Sequence, residues 1–174
     1  MSLAAVAEEA ATSRQALYRR WPNKIALAEA VISSMVDRGE VPTMDNPFGA
    51  LVAELADFER GVSRPGRLSL VGTMLQSSTD AEVVARYRTN VVAPRRLRLR
   101  TILEQAQHLG LVDADADLEV AVTMCTGCWY GRALSGAAPP AQWPDRTAAL
   151  VWRAIGGQPR NIATMTNVRR RARP

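Results

Sequence analysis

Apolar residues recur at steps of three and four along most of this chain, and no stretch alternates long enough to specify a sheet. That period predicts an all-α fold. Ser2 is placed to cap a short helix over 3–10, Ala11 and Thr12 make a tight turn, and a second helix runs over 13–21 until Pro22 stops it. Asn23 caps a longer helix over 24–38, whose Ile25, Leu27, Ala28, Val31, Ile32 and Met35 form one apolar stripe closed by Gly39.

After a loop over 40–46, Asn46 and Pro47 open a helix carrying Phe48, Leu51, Leu55, Phe58 and Val62, which Arg64, Pro65 and Gly66 break. Leu68, Val71 and Leu75 mark the next helix, over 67–76, and 77–80 supplies a break and a cap. Helical spacing then runs from Ala81 to Leu109, where Pro94 predicts a kink or a split and Gly110 an end. Asp115 caps an apolar helix over 116–134, closed by Ser135 and Gly136. Pro139, Pro140 and Pro144 stiffen the connector to a last helix over 145–155, ended by Gly156 and Gly157. The expected division is a short helical head with its connecting helix over 1–38, a larger helical domain over 39–157, and a basic, disordered tail over 158–174.

The charge changes this picture little. The net charge is +5, but Arg160, Arg169, Arg170, Arg171 and Arg173 all lie in the tail, without an acid, and the rest of the chain is balanced. Affinity for nucleic acid must therefore be argued from where charges sit and not from their sum. No apolar run is long enough to cross a bilayer and no signal-peptide pattern follows Met1, so no membrane partner and a cytoplasmic location are expected.

Two short helices joined by a tight turn, with a third packed behind, are the geometry that lets one helix lie in the major groove of DNA. Val6, Ala7 and Ala10 give the first helix a small inward stripe, and Leu17 and Trp21 give the second its own. The outward residues suit a groove: Arg14 matches a guanine edge, Gln15 an adenine edge and Ala16 a thymine methyl. Ser13, Tyr18 and Arg19 are expected on phosphates, as is Lys24 beside the free N–H groups of the following helix.

The run Val6-Ala7-Glu8-Glu9-Ala10, followed by Thr12-Ser13-Arg14-Gln15-Ala16-Leu17-Tyr18-Arg19-Arg20-Trp21-Pro22-Asn23-Lys24, resembles the DNA-binding signature of the TetR family of bacterial repressors. The resemblance implies base reading by Arg14, Gln15 and Ala16, and phosphate contacts from Ser13, Tyr18 and Lys24. Val92-Ala93-Pro94-Arg95-Arg96, then Leu109-Gly110-Leu111 and Asp115, is similar to the C-terminal domain of one branch of such regulators. It further implies a repressor released from a double-stranded, palindromic operator by a small-molecule effector. The last two helices would form a four-helix homodimer interface, here with Trp129, Leu134, Leu150 and Trp152 as its apolar candidates. The family has a helix before the Val6 helix. This sequence begins after that point, and a missing N-terminal piece is the expectation. The alternative reading is a helical dimer that binds a ligand or partner and has lost DNA binding.

Other chemistry has weaker support. Cys125 and Cys128 have the spacing of a redox or metal motif, but they lie in an apolar helix and the one histidine, His108, cannot complete a tetrahedral set, so they read as buried apolar residues. Arg86, Arg88, Arg95, Arg96, Arg98 and Arg100 follow one another without an acid and read as a solvated helix face. Met74, Gln76, Tyr87, Met124, Trp129 and Tyr130 are candidates for an effector pocket. No nucleophile has a recognisable base and no glycine-rich phosphate loop follows a strand, so no catalytic residue, cofactor or metal is expected.

Overall fold

Short polar side chains set the starts of several helices. In the computed structural model, which describes residues 3–35, 45–76 and 80–158, Ser13 accepts a hydrogen bond from the Ala16 N–H (3.1 Å), Asn23 from Ala26 (2.8 Å), Asn46 from Gly49 (2.9 Å) and Asp80 from Glu82 (3.1 Å). Each bond satisfies an N–H that the first turn of a helix leaves free. The helices are α1 (Leu3–Glu9), α2 (Arg14–Arg20), α3 (Lys24–Met35), α4 (Pro47–Val62), α5 (Arg67–Met74), α6 (Ala81–Tyr87), a π-helical stretch (Arg88–Val92), α7 (Ala93–His108), α8 (Leu118–Leu134) and α9 (Trp143–Ala154). No strand occurs among the described residues. Ser2, the 36–44 segment with Gly39, residues 77–79 and the tail beyond Gln158 lie outside them.

Three local expectations change. The cap of α8 is Asp117 and not Asp115, because Asp117 Oδ1 accepts from both Glu119 and Val120 (3.0 Å each). The last helix starts earlier, at Trp143: Pro144 sits in its first turn, where a missing N–H costs nothing, and both residues are buried. The interruption at Pro94 takes the form of a π-helical turn ahead of the proline, closed by the Ala93 N–H donating to the Arg88 carbonyl.

The chain packs as two units, Met1–Arg38 with Ser69–Pro94, and Gly39–Leu68 with Arg95–Pro174. The packing division is thus not the linear one at residue 38. Ile32 of α3 is buried against Met74 and Tyr87, with Leu70, Val71, Val83, Val84, Val91 and Val92 packed around them, so α5, α6 and the π turn cover α3. In the second unit α4 packs on α8 and α9 around Leu51, Leu55, Leu99, Ile102, Leu103, Val122, Trp143 and Trp152. Phe58 meets Trp129 (6.1 Å) and Tyr130 (5.8 Å) edge to face, and Trp129 meets Trp143 at 4.9 Å. Such pairs each contribute about 0.5–1.5 kcal/mol beyond their burial.

The end of the second unit is closed by backbone. The Asp113 N–H donates to the Ile155 carbonyl (2.9 Å) and the Gly157 N–H to the Trp152 carbonyl (2.8 Å). Gly156 has φ +84°, and a Cβ on Gly157 would run into the Trp152 ring.

Candidate nucleic-acid interface

The head is built on a small core. Leu3, Ala7 and Leu17 are buried together, with Val6, Trp21 and Leu27 packed against them. Leu3 joins this core although the helical pattern singled out only Val6, Ala7 and Ala10, and Ala10 is exposed. The turn is tight: the Thr12 N–H reaches back to the Ala7 carbonyl (2.9 Å) and Ala11 takes φ 48°, a left-handed conformation usually left to glycine. The Trp21 N–H donates to the Leu17 carbonyl (2.8 Å) and ends α2.

Leu17 is the buried residue of α2. The helix turns its other faces outward: Ser13, Arg14, Gln15, Arg19 and Arg20 are exposed, Tyr18 is half exposed and Ala16 is half buried. The Arg20 guanidinium lies 4.9 Å over the Trp21 ring, a stacked placement absent from the sequence reading. Ser13 uses its oxygen as the cap and keeps its hydroxyl hydrogen for another acceptor. Lys24 opens α3, and its side chain lies outside the described residues. From Ser13 to Lys24 the sequence carries Arg14, Arg19, Arg20 and Lys24 and no acid, which suits a polyanion.

The six pocket candidates are not brought into one cavity. Met74 and Tyr87 are buried in the first unit beside Ile32, and Gln76 is exposed. Trp129 is buried and Tyr130 packs beside it in the aromatic core of the second unit. Met124 alone of the six lines the cleft along α8 and α9, a space of about 670 Å3 bounded also by Val120, Cys128, Trp143, Arg146 and Leu150. Residue type suggested these six; their helical phase separates them.

The dimer candidates divide by burial as well. Leu134 and Leu150 are exposed, whereas Trp129 and Trp152 are buried within the protomer and present no surface. The dimer candidates left out Val120, and Met124, which the sequence reading had placed only in the pocket set; both are exposed on α8 beside the cleft. Their spacing to Gly127, Cys128 and Gly131, all exposed, was a usable signal, since steps of three and four mark one helix face.

Cys125 is fully buried, and burial pushes its thiol up to about 12. Cys128 is exposed, contrary to the expectation that both are buried; its Sγ lies 3.9 Å from Thr147 Oγ1. Among the described residues no group of His, Cys, Asp and Glu is arranged to hold a metal ion.

The arginine run is a solvated face only in part: Arg86, Arg88 and Arg100 are exposed, while Arg95, Arg96 and Arg98 are half-buried. Arg95 and Arg98 both grip the buried Glu54, Arg95 also bonds Asp57 (2.9 Å), and Arg96 and Arg100 bond Glu119. Glu54, Asp57 and Glu119, distant in sequence, supply counter-charges to Arg95, Arg96, Arg98 and Arg100, while Glu82 and Glu104, four residues away, pair with Arg86 and Arg100. No described helix is long and apolar enough to cross a membrane.

Comparison with known proteins agrees with this architecture. Residues 44–151 match the tetracyclin repressor-like C-terminal domain, and residues 1–31 match the bacterial regulatory proteins of the tetR family. The chain is 29% identical over 133 residues to the uncharacterized HTH-type transcriptional regulator YdeS of Bacillus subtilis (strain 168), a match covering 74% of this chain and 66% of that protein, just under two thirds of it. The crystal structure of the TetR family transcription regulator SCO0332 superimposes with a TM-score of 0.57 at 26% identity, over 87% of this chain and 83% of that one. A family match that takes in most of the body, joined to a second over the reading head, leads to one conclusion: this chain belongs to the TetR family of bacterial regulatory proteins.

Proposed function

We propose that this chain is a DNA-binding transcription regulator, a cytoplasmic homodimer that represses by holding a palindromic operator and leaves it when a small-molecule effector binds. One observation carries the reading: α2 buries Leu17 and turns Arg14, Gln15, Tyr18, Arg19 and Arg20 outward, with no acid in the sequence from Ser13 to Lys24. Arg14 and Gln15 read base edges and Ala16 a thymine methyl, while Ser13, Tyr18, Arg19 and Lys24 hold phosphates.

The dimer reading is supported by the α8/α9 face. Val120, Met124 and Leu150 are exposed there, along the wall of the 670 Å3 cleft. A second copy packed on this face removes that apolar surface from water and sets two reading heads about a twofold axis. The effector is a small molecule of chemistry still to be assigned.

Fluorescence anisotropy on DNA flanking the chain's own gene, at low and at higher salt, tests the proposal. Expected is specific binding that weakens steeply with salt, as phosphate contacts require. Absence of binding at low salt overturns it and leaves a helical dimer that binds a ligand or partner without DNA.

A further inference from the structure

The helix that begins at Ala81 does not keep one winding. Between α6 and α7 the residues Arg88–Val92 are π-helical, and none of them is buried. The Ala93 N–H donates five residues back, to the Arg88 carbonyl. In an α winding position 94 would bond the Asn90 carbonyl, but Pro94 has no N–H to donate and its ring clashes with that carbonyl. That removes part of the usual advantage of the α form and brings the two windings closer in free energy.

Both flanks of this turn are firmly held. Just before it, Tyr87 is buried against Ile32 and Met74, and Val91 and Val92 at its end pack on the same cluster. Just after it, within the other unit, Arg95 bonds Glu54 and Asp57, and Arg98 bonds Glu54 through Nε and Nη2. Re-winding the turn from π to α changes the phase between its flanks by one residue, about 100° of rotation and 1.5 Å of rise. The side chains that must answer such a change in the first unit are Val91 and Val92, and the helix they press on is α3. Five residues before Ile32, α3 carries Leu27, which packs on the Leu3, Ala7 and Leu17 core of the head.

We infer that the π turn at Arg88–Val92, with Pro94 behind it, is a switch of helical register that acts through Ile32 and Leu27 of α3 on the packing of the reading head. Its effect on DNA rests on the DNA-binding reading above; its effect on the head does not.

Hydrogen exchange on the full chain, with Pro94→Ala as the variant, separates the two. Alanine supplies the missing donor and favours the α winding. Amides of residues 89–93 and 95 are expected to exchange about tenfold more slowly in the variant, and the Trp21 amide, which closes α2 on Leu17, about threefold faster as Val91 and Val92 turn off α3. Affinity for the gene-flanking DNA is expected to fall about fivefold, as a loosened head must be ordered on binding. Thr89→Ala, at an exposed position, is expected to leave all three at wild-type values. Unchanged exchange at 89–93 and 95 overturns the inference, and so does a protected turn with an unmoved Trp21 amide. A responsive Trp21 amide in a protein that binds no DNA supports the switch and defeats the DNA-binding reading.

Discussion

Arg95 and Glu54, 41 residues apart in the chain, are joined twice: Arg95 Nη1 donates to Glu54 Oε1 at 2.9 Å and to the Glu54 backbone carbonyl at 3.2 Å. The Glu54 carboxylate, 6% exposed, also takes Arg98. Removing the acid leaves two guanidiniums partly buried beside Asp57 alone. Glu54→Ala is expected to cost about 3 kcal/mol, the scale for breaking a buried pair on one side. For a chain of this length that lowers Tm by about 6–12 °C, measurable by thermal denaturation. A shift within 2 °C of wild type, on the order of 0.5 kcal/mol, would show that the network is solvent-screened.

Ala11 occupies the left-handed region at φ 48° in the turn between α1 and α2. An L-residue pays about 1–2 kcal/mol there, partly offset by its smaller loss of backbone freedom on folding. Ala11→Gly is therefore expected to stabilise the head by roughly 0.5–1 kcal/mol, read as a higher urea midpoint at unchanged slope.

Arg14 and Arg19 are both exposed on α2, yet they have different tasks in the proposed complex. Arg14→Ala is expected to relax preference at one base pair by about 1–3 kcal/mol, whereas Arg19→Ala weakens all sequences alike and lowers the salt slope by about one. Anisotropy against a panel of single-site operator variants distinguishes them, and equal losses for Arg14→Ala on every sequence would remove it from the base-reading set.

The two cysteines give a chemical probe of the α8/α9 face. With Cys125 protonated up to about pH 12 and buried, only Cys128 is expected to react with a thiol reagent at pH 8. If a second copy covers that face, its labelling slows as protein concentration rises. Cys125 also bears on stability. Its folded pKa is raised, so the neutral thiol's contribution is fully present below the unfolded value of 9.0 and is lost as pH rises from there towards about 12.

Leu150 and Met124 are exposed on neighbouring helices of the same cleft. Charging both, as Met124→Glu with Leu150→Arg, is expected to yield a folded monomer by light scattering with unchanged helical circular dichroism. A dimer that persists places the subunit contact elsewhere.

Much of the molecule was legible from local spacing. Asn23, Asn46 and Asp80 announce helix starts because a cap and its N–H lie within a few residues of each other, whereas Ser13, read as the first helical residue, proves to be the cap. The outward set on α2 was readable for the same reason, since Leu17 fixes the phase of a seven-residue helix by itself. Asp115 and Asp117 were not separable in this way: both precede the same apolar run, and only the backbone geometry selects one.

What the amino-acid order determined alone, then, is the all-α character, the approximate helix positions and the outward polar face of α2, all consequences of contacts between near neighbours. The tertiary structure decided the rest. It buried Trp129 and Trp152 while leaving Leu134 and Leu150 outside, gave Arg95, Arg96, Arg98 and Arg100 acids from α4 and α8, and grouped Ser69–Pro94 with the head. Each of these depends on partners tens of residues away, and helical periodicity states which face is apolar without stating what will cover it.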